Sequence, residues 1–118
     1  MPLISAEALS HFENMIYLPM LITILERDRN VFEKSPFKLK GPYVKLVDEA
    51  TKLVRAELKA TNIYLRRHNM NMLRGETDDT FTEYIFLHGG YEEHRRYLNV
   101  RLRNRTEELL SVYFAMAG

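Results

Sequence analysis

Four histidines, His11, His68, His88 and His94, are the side chains best suited to hold a metal or move a proton. His88 and His94 flank a glycine pair, with Glu92 and Glu93 close by, and a histidine–carboxylate group can hold zinc or iron. The spacing argues against it. There is no HExxH, and no pair of ExxH segments of the kind that builds a di-iron bundle. His94 also fits an apolar stripe, so a core or interface histidine is expected. Acid–base chemistry would need carboxylates converging in a pocket. The adjacent pairs Asp78-Asp79 and Glu92-Glu93 read more simply as a turn and an exposed face. No GxSxG and no glycine-rich phosphate loop is present. The expectation is no catalytic residue, no metal ligand, no cofactor and no enzyme.

Arginine supplies the other chemistry. Arg95, Arg96, Arg101, Arg103 and Arg105, interleaved with Tyr91, Tyr97 and Asn99, could contact phosphates and stack on bases. Lys52, Arg55, Lys59, Arg66 and Arg67 could extend that footprint. Charge is unevenly spread: residues 37–75 hold nine Lys and Arg against three acids, whereas eight acids lie from Glu76 onward. The net charge is only +1, and a nucleic-acid binder usually shows a clear positive excess. Ion pairing between those arginines and nearby glutamates is the simpler reading, and nucleic-acid binding is the alternative.

These residues need elements to position them. The clearest is a helix over 42–68. Tyr43, Leu46, Val47, Ala50, Leu53, Val54, Leu58, Thr61, Tyr64 and Leu65 recur at helical spacing, opposite a charged face. Pro42 suits its first position, and Asn69 its left-handed stop. At 1.5 Å per residue it spans roughly 40 Å, long enough to be a spine for the rest. An earlier helix, about 5–34, starts at Ser5 as N-cap and ends at Ser35-Pro36. Its segment MIYLPMLITIL, 15–25, is apolar on nearly all sides and is expected to be kinked or broken at Pro19. Eleven residues are too few to cross a bilayer, so it belongs in the core or at a subunit interface, and no membrane partner is expected.

Phe37-Lys38-Leu39-Lys40-Gly41 reads as a connector that tucks Phe37 and Leu39 under the helices. Residues 70–87 read as a β-hairpin, with strands near 70–74 and 80–87. The rival for 80–88 is a short helix, since Phe81, Tyr84, Ile85 and His88 also have helical spacing and Thr80 with Glu83 makes a capping box. Gly89-Gly90 reads as a breaker, and a last helix is expected over 91–116, along Tyr91, His94, Leu98, Leu102, Leu109, Tyr113 and Met116. The fold class is therefore mainly α, a single domain over 1–118 with three long helices and an inserted hairpin. The chain has no cysteine, which fits a reducing cytoplasm and excludes disulfides and thiol chemistry.

Two segments, YLPMLITILERDRNVFEKSPFKLKGPY and GGYEEHRRYLNVRLRNRTEELL, resemble a family of small proteins of bacilli and their relatives, of the YhjD type. The resemblance covers most of the chain. It implies a small cytoplasmic bacterial protein and, because the family has no assigned activity, no site residues.

Long helices, an apolar segment, six methionines and an open-edged hairpin suit contact between proteins. The expected function is a non-enzymatic interaction or regulatory module, a homodimer that also meets an unknown protein partner. Its interface is expected at Ile16, Tyr17, Met20, Leu21 and Ile24, then Phe81, Tyr84 and Phe86.

Overall fold

The computed structural model describes residues 4–118. Helix α1 (Ala6–Lys34) and helix α2 (Gly41–Arg67) form an antiparallel pair joined by a short loop. Three strands follow, β1 (Asn71–Thr77), β2 (Phe81–His88) and β3 (Tyr91–Leu98), then helix α3 (Asn99–Ala117). The strands make one antiparallel sheet in the order β1-β2-β3. The molecule is elongated, 57 × 33 × 18 Å.

Each helix begins where local chemistry favours it. The Ser5 hydroxyl accepts from the Ala8 amide at 3.1 Å, capping α1. Pro42 sits in the first turn of α2, and Asn69 takes the left-handed conformation just past its end, at φ 52°. Pro19 lies inside α1 and does not break it. It is exposed, so its ring sits on the outer side of the helix and not in the core.

Two clusters form the core. Phe12, Ile16 and Tyr17 of α1 pack with Leu65, Tyr84, Phe86 and Leu102, and Leu18, Leu21 and Leu25 pack with Val47, Ala50, Val54 and Tyr113. Only α1 contributes heavily to both. The spine expected of α2 is thus a helix pair, and the all-round apolarity of 15–25 reflects neighbours on several sides. By length and composition α1 could cross a membrane, yet Phe12, Ile16, Tyr17, Leu18, Leu21 and Leu25 are buried in this packing.

Thr61 is a polar member of the buried α2 face. Its hydroxyl meets His11 Nδ1 at 2.9 Å and accepts from the Asn14 amide at 2.9 Å, so it ties α1 to α2. Thr61→Val keeps the shape and removes the acceptor. It is expected to lower unfolding free energy by about 1–2 kcal/mol in urea denaturation.

Two sequence expectations are corrected here. The first is the last helix: 91–98 is a strand, and α3 starts only at Asn99. Gly89 and Gly90, at φ 56° and 77°, form a tight two-residue hairpin turn rather than a breaker. The hairpin over 70–87 is therefore part of a three-stranded meander, and the rival helix over 80–88 is the strand β2. The helical stripe through Tyr91, His94 and Leu98 was a coincidence of an edge strand with both faces half in water. Asn99 ends that strand. Its amide N–H donates to the Thr80 carbonyl at 2.8 Å, its side-chain amide donates to the Asp78 carbonyl at 2.7 Å, and its side-chain oxygen accepts from the Thr82 hydroxyl at 2.7 Å. The second correction is the connector. Phe37 and Leu39 are not tucked under the helices; they project from the loop, Leu39 with 81% of its surface exposed.

Candidate functional site

The residues expected at an interface are mostly inside. Ile16, Tyr17, Leu21, Tyr84 and Phe86 are buried in the chain's own core, while Met20, Ile24 and Phe81 keep partial access. The surface they were meant to supply has to be sought elsewhere.

It lies on the sheet. Alternation along β2 buries Thr82, Tyr84, Phe86 and His88 against the helices and turns Phe81, Glu83, Ile85 and Leu87 outward. The register continues that outer face across the sheet: Leu73 opposes Ile85, which opposes His94, and Glu83 opposes Arg96. No described helix covers this face. Both outer strands, β1 and β3, keep an open edge of backbone donors and acceptors.

The β3 edge has an unusual order of charges. Read from Tyr91 it runs Tyr-Glu-Glu-His-Arg-Arg-Tyr, so reversal about His94 exchanges acid for base and tyrosine for tyrosine. Within the chain these side chains lie over β2. Arg96 stacks on the Phe81 ring at 4.1 Å, and Arg95 sits 5.3 Å from the Phe86 centroid while pairing with Glu93. His94 Nδ1 meets Glu83 at 2.9 Å and its Nε2 meets Glu92 at 3.4 Å.

The hydrogen bond that the protonated ring donates to the Glu83 carboxylate raises the His94 pKa above its ordinary value, and the one it donates to Glu92 adds to it. A raised folded-state pKa means that this contribution to stability is complete below the ordinary value of about 6.5 and is lost as pH rises through the folded value. Proton NMR titration of the His94 ring is expected to show a midpoint above that of a free histidine. Glu83→Gln is expected to bring it down.

Gly75 protects the same contact. It stands opposite the Glu83 side chain, where an added Cβ would come within 2.8 Å of the Glu83 carboxylate oxygen and 3.1 Å of its Cβ. A side chain there would displace Glu83 from His94.

The other expected groups are not brought together. His88 and His94 lie on opposite faces of the sheet. The buried His88 has no hydrogen-bond partner for Nε2 among the described residues. His11 and His68 stack on either side of the Tyr64 region, at 3.9 and 4.1 Å from its ring. Among the described residues, no three His, Asp or Glu side chains are grouped to hold a metal. The five arginines also divide. Arg95 and Arg96 point to opposite faces of β3, and Arg101, Arg103 and Arg105 stand exposed on α3, with Arg105 paired to Glu108 at 3.0 Å. They do not make one face.

A groove of about 250 Å³ runs between α1 and α3, lined by Ser10, Glu13, Asn14, Tyr17 and Arg105 among others. Burial pushes the phenols beside it upward, and Tyr97, also facing the Glu13 charge, is pushed up to about 12.

Comparison with known proteins agrees with the sequence resemblance. The family model described as "YhjD protein" matches residues 3–118. A Bacillus subtilis (strain 168) protein named "Uncharacterized protein YhjD" is 39% identical over 113 residues, spanning 96% of this chain and 94% of the relative. The chain belongs to the YhjD family. No solved structure matches it. For a YhjD-family chain, then, the surface itself must supply the functional argument. The mirrored charges of β3 become visible only when 91–98 is a strand, because a helix over 91–116 spreads the same residues around its axis. A glycine pair between two strand-length runs was the signal that could have exposed them.

Proposed function

We propose that this YhjD-family protein is a non-enzymatic interaction module of the cytoplasm, and that it works as a homodimer. The observation that carries the reading is the open β3 edge with mirrored charges. Two copies of β3 laid antiparallel about His94 place Glu92 opposite Arg96, Glu93 opposite Arg95 and Tyr91 opposite Tyr97, each pair on a common face. A two-fold interface must be self-complementary, and this strand is. The product would be a six-stranded sheet with a continuous outer face carrying Leu73, Phe81, Ile85 and Leu87 from each copy, on which a protein partner can dock. His94 sits on the two-fold axis, its ring engaged by Glu83 and Glu92.

Light scattering on a sizing column tests the reading. The expected mass is twice the 14.0 kDa of the chain, holding as the sample is diluted. A mass of one chain at all concentrations would sink it.

A further inference from the structure

The loop joining α1 to α2 and the helix ends beside it carry a group of exposed apolar side chains. Leu39 is 81% exposed, Val31 63%, Phe37 58% and Tyr43 55%. Half-buried Phe32 stacks on Tyr43, with ring centres 5.8 Å apart, and Phe37 lies tilted to the same ring at 6.5 Å, so the three rings form one cluster. An open cleft of about 480 Å³ lies between Phe32, Phe37, Lys38, Leu39 and Tyr43, with one ammonium and no carboxylate in its lining.

The positive charges around this apex are lysines. Four of the six lysines of the chain, Lys34, Lys38, Lys40 and Lys45, fall within 31–45, and none of its eleven arginines does. Of the nearby acids, Glu33, at 2.8 Å, and Asp48, at 2.6 Å, share the single charge of Arg29. Lys40 donates to the Glu33 carbonyl. Among the described residues Lys34, Lys38 and Lys45 make no ion pair. The uncompensated charge at this end is therefore positive.

We propose that this loop docks on an anionic lipid surface, with Phe37, Leu39 and Tyr43 entering the headgroup boundary and the lysines above them. The apex projects outward, which suits a deformable bilayer better than the surface of a folded protein. Lysine on a long apolar stem reaches diffuse negative charge, whereas a defined carboxylate or phosphate site favours the arginine fork. Apolar insertion and basic attraction together give the two signals that stable, reversible membrane contact requires. This departs from the expectation of no membrane partner, which rested on the shortness of residues 15–25, where Ile16, Tyr17, Leu18, Leu21 and Leu25 are buried. The loop lies roughly 30 Å along α1 from Phe12 and the sheet, so this surface and the β3 edge stand or fall separately.

Co-sedimentation with phosphatidylcholine vesicles, with and without phosphatidylglycerol, tests the proposal on the full chain. Binding is expected only with phosphatidylglycerol, and is expected to weaken as salt is raised. Phe37→Ser with Leu39→Ser should reduce affinity by about tenfold or more. Lys34→Glu with Lys38→Glu should cost about fivefold or more per residue. All four side chains are exposed, so circular dichroism should stay unchanged. No sedimentation with anionic vesicles at low salt would overturn the proposal. So would equal binding to neutral vesicles, or affinity unchanged in both variants. Loss of a soluble acidic protein partner in the variants, with vesicle affinity intact, would likewise assign the loop to a protein.

Discussion

Arg95→Glu with Arg96→Glu is expected to turn the dimer into a monomer, and so is Glu92→Arg with Glu93→Arg. Each double variant gives β3 one sign of charge, so two identical copies oppose like with like. Four cross-strand ion pairs, two of each kind by symmetry, are replaced by four repulsions. At about 0.2–1 kcal/mol for each attraction and a similar cost for each repulsion, the change is about 2–8 kcal/mol. That weakens association by at least about tenfold. The decisive arm is the mixture. One variant strand is then wholly basic around His94 and the other wholly acidic, so the two should form a one-to-one heterodimer in light scattering. The variant with all four charges exchanged should dimerise with itself. Loss of the Glu93–Arg95 pair and of the Arg95 contact with Phe86 disturbs each monomer slightly, which circular dichroism controls. If the mixture stays monomeric while both variants are folded, β3 pairing is wrong.

Phe86→Ala is expected to be the most damaging single change to the fold, with Phe12→Ala close behind. Both side chains are fully buried, and their rings stack at 4.4 Å with an angle of 7°. This contact is where β2 meets α1. Removing either ring should lower unfolding free energy by about 3–5 kcal/mol, measured in urea. That is a large share of the roughly 5–15 kcal/mol typical of a domain. Because the sheet rests on the helices through this contact, the loss should loosen β1–β3 before α1 and α2. Amide exchange would show it as early loss of protection in 71–98.

How much of this was written plainly in the residues varies by element. The two long helices were legible because their signals agree. Ser5, Pro42 and Asn69 sit at the ends, and between Tyr43 and Leu65 the apolar period is helical. The β1–β2 pair was legible from Thr80 to Leu87, where β-branched and aromatic residues concentrate around turn chemistry at Asp78. The third strand was hidden for a physical reason. A strand at the edge of a sheet, with Glu93 and Arg95 half-buried on one face and Glu92, His94 and Arg96 exposed on the other, shows no alternation of apolar and polar types. Its tyrosine, histidine and leucine fell on a helical stripe by chance. A helix over 91–116 would carry all five arginines, whereas the strand takes Arg95 and Arg96 to opposite faces and sets the charges in mirrored order. Of the residues expected at an interface, Ile16, Tyr17, Leu21, Tyr84 and Phe86 lie in the chain's own core. Apolarity at Ile16, Tyr17 and Leu21 says that a side chain leaves water, and not whether its own chain or another covers it.

Cysteine cross-linking at the centre of β3 asks the question most directly. The chain has no cysteine, so His94→Cys introduces a single thiol. In an antiparallel pair centred on this position the two thiols face each other across about 4.5–5.5 Å between Cα atoms, within the range a disulfide spans. Mild oxidation is expected to give a covalent dimer on a non-reducing gel at low protein concentration, while Glu107→Cys, exposed on α3, gives little. A His94→Cys protein that stays single-chain under oxidation, or that links no faster than Glu107→Cys, would contradict pairing through β3.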